Sequence, residues 1–216
     1  MNLEKNREVM IENQLMPNKI TNNDILQVFM TTSKEKFISE DRANICYSDQ
    51  DISIKDQRGY LKNLHLAQIL HYAEIRHSDK ALHIGGLTGY LSVLISKLCN
   101  DIYVTENDQA FVENIIKNFK NNNVTNGKVL KEEFSEGLKT EAPYDLIVID
   151  CPQYNFNLDL LNQVKVGGRV IYIEKINEEL SKAYKMIKYE NNYSKVFLFD
   201  VFSNFYLTKQ EEGFNF

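Results

Sequence analysis

From Lys80 onward the chain alternates between short apolar runs and amphipathic segments, and this rhythm limits the fold more than anything else in the sequence. "KALHI" is followed by "TGYLSVLISKLC", "DIYVT" by "DQAFVENIIKNFK", then "GKVLK" and "YDLIVID". "NLDLLNQVK", "RVIYIE" and "NEELSKAYKMIKYE" continue it, and "KVFLFDVF" and "FYLTK" close it as a terminal antiparallel pair. "YDLIVID" is a continuous apolar run between polar residues, the signature of a parallel strand buried on both faces. Strands alternating with helical segments at this spacing predict βαβ units and a doubly wound, mostly parallel α/β sheet. The helices of the alternation are expected over "TGYLSVLISKLC", "DQAFVENIIKNFK", "NLDLLNQVK" and "NEELSKAYKMIKYE".

The first fifty residues read as helices. Leu3, Met10, Ile11 and Leu15 mark one amphipathic segment, and Thr21 or Asn22 is the N-cap of a second. "LKNLHLAQILHYAEI" places Leu61, Leu64, Ala67 and Leu70 on one face. The expected organisation is an N-terminal helical extension over residues 1–79 and a core domain over residues 80–216.

A length of 216 residues suffices for one such domain with a full core. The net charge of −5 and the lack of a basic block argue against nucleic acid as a partner. No apolar run approaches the roughly 20 residues that span a bilayer. The charged N-terminal stretch has no signal-peptide core. Cys46, Cys99 and Cys151 are odd in number and widely spaced, which suits a reducing compartment, with cytoplasm the expectation. His65, His71, His77 and His83 recur every six residues, a spacing that scatters them around a helix, so no metal site is expected.

The chemistry is expected at "HIGGLTGY". Gly85, Gly86 and Gly89 follow a strand and precede a helix, where a doubly wound sheet holds its ligand. Glu106 ends the next strand, 21 residues beyond Gly85, where an acid can accept both hydroxyl hydrogens of a ribose. Leu87 stands where such turns carry their middle glycine, and His83 where they often carry a carboxylate. Leu87 is therefore the expected main obstacle to a ligand.

"MIENQLMPNKITNNDILQVFMTTSKEKFI", "ICYSDQDISI" and "ALHIGGLTGYLSVLISKL" together resemble the protein-L-isoaspartate O-methyltransferase family, from about residue 7 to 175. The tail resembles an alphaproteobacterial branch of it. The resemblance implies a Rossmann-like methyltransferase fold and the cofactor S-adenosylmethionine, released as S-adenosylhomocysteine. The implied acceptor is an isoaspartyl carboxylate in a damaged protein or peptide, and the protein a monomer or homodimer. Carried over by residue, it assigns His83, Gly85, Gly86, Leu87, Gly89, Glu106, Glu133 and Phe134 to the cofactor. It places Asp150 and Cys151 where the methyl group leaves, and Tyr60 and Leu61 over the acceptor. A carboxylate is already an anion at neutral pH, so the transfer needs alignment more than a general base. The sequence departs from the family in having no Ser or Thr between Ser53 and Ser78, where a hydroxyl helps hold the acceptor. The alternatives are a methyltransferase for another acceptor and a binding module that has lost turnover.

Overall fold

The computed structural model describes residues 2–207. Helix α1 (Leu3–Met10) runs on through a π-helical turn (Ile11–Leu15), burying Met10, Ile11 and Leu15. Helix α2 (Asn23–Thr31) is capped by Asn22, whose Oδ1 accepts from Asp24 N at 2.9 Å and Ile25 N at 3.2 Å. Among the described residues, strands β1 (Ile52–Lys55) and β2 (Arg58–Tyr60) pair only with each other. Helix α3 (Asn63–Ala73) then leads into the alternating part.

That part comprises β3 (Lys80–Ile84), α4 (Tyr90–Ser96), β4 (Asp101–Glu106), α5 (Gln109–Asn121), β5 (Gly127–Lys131), β6 (Tyr144–Gln153) and β7 (Val164–Lys175). It ends with β8 (Leu180–Lys188) and β9 (Tyr193–Phe202). The seven-stranded sheet has the order β5-β4-β3-β6-β7-β8-β9. It is parallel from β5 to β7, and β8 and β9 add as antiparallel neighbours. Winding reverses at β3, whose carboxyl end is the switch point of the sheet. One apolar cluster runs from Met10 and Phe29 through Leu66 and Ile69 to the strand residues Leu82, Val104 and Ile147.

Three segments differ from the sequence expectation. "NEELSKAYKMIKYE" is not a helix but contributes β8, where Tyr184 stacks across the strand pair on Tyr172, centroids 5.7 Å apart, and Lys195 lies over its ring at 4.0 Å. Such cross-strand aromatic pairs stabilise a sheet directly. "NLDLLNQVK" forms a 3-10 turn (Leu158–Gln163), held short because Gln163 turns inward to accept from Leu138 N at 2.9 Å. The terminal antiparallel pair is β8 with β9. Residues 205–207 of "FYLTK" are not a strand, and Thr208 and Lys209 lie outside the described residues.

Two side chains brace this frame. Asn126 donates its Nδ2 to the carbonyls of Ser96 (2.9 Å), Cys99 (3.2 Å) and Asn100 (3.1 Å), fastening the loop after α4 to the start of β5. His65, on α3, stacks on Phe199 of β9 with centroids 5.6 Å apart. Burial pushes its imidazole down to about 4, helped by the Lys62 ammonium. Unfolded, the same ring takes up its proton near pH 6.5. Between these values the unfolded chain binds more protons, so stability is lost as pH falls through that window. Acidification from pH 7 to 5 is expected to remove about 2 kcal/mol through this group. Urea midpoints at both pH values check it: His65→Phe should show a correspondingly smaller loss than the parent, and equal losses would reject a neutral buried His65.

Among the described residues no helix is long and apolar enough to cross a membrane. No group of three His, Cys, Asp or Glu among them could hold a metal ion.

Candidate cofactor site

The turn after β3 has the shape its glycines suggest. Gly85 and Gly89 have φ of 80° and 92°, and Gly89 opens α4. Leu87 is also left-handed, at φ 55°. Glycine there would relieve about 1–2 kcal/mol of backbone strain. It would also give up a buried leucine side chain worth about 1.5–3 kcal/mol, so packing holds the residue in that conformation.

Glu106 lies beside the turn, fully buried. Leu87 N donates to its Oε2 at 2.9 Å, and Asn107 N and Asp108 N donate to Oε1 at 3.0 and 3.3 Å. Its remaining capacity is taken by Arg58, from β2, which donates Nη1 to Oε1 at 2.7 Å and Nη2 to Oε2 at 2.8 Å. Arg58 Nη2 also donates to Gly85 O at 3.1 Å. The guanidinium lies 5.4 Å from the Phe111 ring centroid and 5.0 Å from that of Phe134. A Cβ on Gly85 would lie 2.8 Å from Leu207 Cδ1 and 3.5 Å from Arg58 Nη2, so these two side chains cover the open side of the turn.

The other assigned residues divide. His83 is buried and bridges Ser92 Oγ (Nδ1, 2.7 Å) and Asp150 Oδ1 (Nε2, 3.0 Å). With the carboxylate accepting from Nε2–H, Nδ1 accepts the Ser92 hydroxyl. His83 therefore positions Asp150 and braces α4 rather than facing the turn. Cys151 is buried, and that burial pushes its thiol up to about 12, which leaves little thiolate at neutral pH. Gly86 faces inward, where a Cβ would meet Val104 Cγ1 at 2.4 Å. Tyr60 is buried: its hydroxyl accepts from Tyr90 N at 3.1 Å and shares a hydrogen bond with Thr88 Oγ1. Leu61 is a core residue. Glu133 is exposed, and it is the preceding Glu132 whose N–H reaches the Glu106 carbonyl at 3.1 Å.

Arg58 and Leu207, neither of which the sequence singled out, stand beside Gly85 in the same turn as Leu87. Arg58 lies 48 residues before its partner, and no local spacing links them. The available signal was an arginine at the start of a short strand, in "KDQRGY".

The family model of Protein-L-isoaspartate(D-aspartate) O-methyltransferase (PCMT) matches residues 4–207. The chain belongs to this family. Among curated relatives, a protein-L-isoaspartate O-methyltransferase of Brucella anthropi is 28% identical over 170 residues, 79% of this chain and 78% of that one. Protein-L-isoaspartate O-methyltransferase 2 of Pelobacter propionicus is 26% identical over 170 residues, 79% and 76% of the two chains. A crystal structure described as a putative member from Plasmodium falciparum, in complex with S-adenosyl-L-homocysteine, superposes with a TM-score of 0.78 at 17% identity, over 97% of this chain and 100% of that one. The fold is that of the isoaspartyl methyltransferases, enzymes that methylate protein carboxyl groups using S-adenosylmethionine.

The donor set of this family member is of the right kind for a nucleoside: a glycine turn, a strand-end acid and two aromatic rings. In the present conformation it does not fit one. Glu106 already accepts five hydrogen bonds, and Arg58 and Leu207 cover Gly85.

Proposed function

We propose that this chain carries the reaction of its family, methyl transfer from S-adenosylmethionine to an isoaspartyl carboxylate, with Gly85, Gly89, Glu106 and Phe134 serving the cofactor. The observation that carries this reading is Glu106. A fully buried carboxylate at the end of β4, bonded to Leu87 N of the glycine turn, is arranged as a ribose acceptor is in such sheets. Asp150, held by His83 toward the end of the central strand, is assigned to the transfer point. Cys151 is not assigned a chemical part. The acidic balance argues against nucleic acid, the three buried free cysteines agree with the cytoplasm, and a monomer or homodimer is the proposed state.

The test supplies methyl-labelled S-adenosylmethionine with a peptide containing L-isoaspartate and with its aspartyl twin. Base-labile label on the isoaspartyl peptide alone is expected. Label on neither peptide would reject turnover. A second reading, a binding module without turnover, is favoured by the absence of any Ser or Thr between Ser53 and Ser78. It expects S-adenosylhomocysteine binding with no labelled ester.

A further inference from the structure

We infer that the β1–β2 hairpin and the segment Phe205–Leu207 form an internal occupant of the nucleoside site, and that a ligand enters only when Arg58 releases Glu106. The inference rests on the cofactor reading above. Three groups of contacts support it.

First, Arg58 satisfies the acid in the manner a ribose would. Its two Nη atoms meet the two Glu106 oxygens at 2.7 and 2.8 Å, the parallel fork geometry that guanidinium and carboxylate favour. Phe111 and Phe134 flank the flat cation, and two aromatic rings would accept the face of a purine equally well.

Second, hairpin and tail close as one unit. Tyr206 N donates to Gln57 O at 3.0 Å, and Leu207 N donates to Pro152 O at 2.7 Å. A Cβ on Gly59 would fall 2.4 Å from Phe205 Cζ, so the tail ring packs closely against the hairpin at Gly59. Lys55 pins the outer end through Asp108 at 2.6 Å, a pair whose lysine is 54% exposed and which contributes little on its own.

Third, the closure can open without disturbing the sheet. β1 and β2 make no ladder with the seven strands. Opening would also free Arg58 Nε, which is buried and has no partner among the described residues. The anchored end is Tyr60, tied to Thr88 and Tyr90, so the moving part runs up to Gly59.

The experiment titrates S-adenosylhomocysteine calorimetrically into the parent protein, Arg58→Ala, Arg58→Lys and Leu207→Ala. Amide hydrogen exchange over residues 52–58 is followed in the same proteins. Arg58→Ala leaves Glu106 its three backbone donors, and Leu207→Ala leaves the ion pair intact, so the variants perturb the closure from two sides. Arg58→Ala should tighten binding roughly tenfold or more by removing the population cost of the closed state. Leu207→Ala should tighten it several-fold, and Arg58→Lys, which keeps the charge but loses the fork, should fall between the parent and Arg58→Ala. Equal affinity in the parent and both alanine variants would overturn the closure and leave the cofactor reading standing. No binding by any protein, with faster exchange of the hairpin in Arg58→Ala, would reject the cofactor reading and the nucleoside-site occupant with it, leaving Arg58–Glu106 a structural pair. No binding with unchanged exchange would overturn the closure.

Discussion

Glu106→Ala is expected to destabilise the protein by about 3–5 kcal/mol, the cost of leaving one member of a buried ion pair behind. The Arg58 side chain is only 12% exposed, and without Glu106 it retains, among the described residues, the Gly85 carbonyl alone. Three backbone N–H groups, of Leu87, Asn107 and Asp108, lose their acceptor in the same step. Each such buried donor adds about 1–3 kcal/mol when it finds no water. Glu106→Gln keeps one acceptor oxygen and should cost less than the alanine variant. Urea unfolding at constant m-value reads the loss as a shift of midpoint. A loss below about 1 kcal/mol, the range of exposed pairs, would contradict the burial of this pair.

The second large effect is expected at Arg169→Ala, again about 3–5 kcal/mol. Arg169 projects from β7 and pairs with Asp79, Nη2 to Oδ2, at 2.6 Å. It also donates to the carbonyls of Ala73, Glu74 (2.8 Å) and Asp145 (3.2 Å). The first two are the end of α3, so one guanidinium closes a helix terminus, an acid and a neighbouring strand together. In a domain of this size such a loss corresponds to a fall in melting temperature of roughly 10 °C. Arg169→Lys should rescue little, because an ammonium cannot present donors in a planar fork to all four groups. Recovery of parent stability in the lysine variant would show that charge alone is needed at this position.

The sequence foretold best what repeats. β3, β4, β6 and β7 are continuous apolar runs between polar ends, and Glu106 falls where strand length and helix length put it. β8 was not legible. Lys182, Lys185 and Lys188 recur every third residue and imitate the polar stripe of a helix, while a strand sends Lys185 to the face opposite the other two. The strand forms because Tyr184 finds Tyr172 across the ladder, a partner fixed only by the sheet. The same holds for the site. Gly85 and Glu106 carry a local pattern, whereas Arg58 and Leu207 reach them from hairpin and tail, and tertiary approach of that kind leaves no trace in residue spacing.

The brace at Asn126 bears on how this protein ages. Asn126 precedes Gly127, and in an asparaginyl-glycyl pair the glycine nitrogen readily attacks the neighbouring carboxamide, giving a cyclic imide that opens mostly to isoaspartate. The glycine cannot be exchanged for a slower residue, since a Cβ there would fall 2.4 Å from Phe119 Cε2. The asparagine is instead clamped, its Nδ2 shared among three carbonyls that attack would have to strip away. Folding therefore protects a fragile peptide link, and each excursion to the unfolded state exposes this chain to the covalent damage its family repairs.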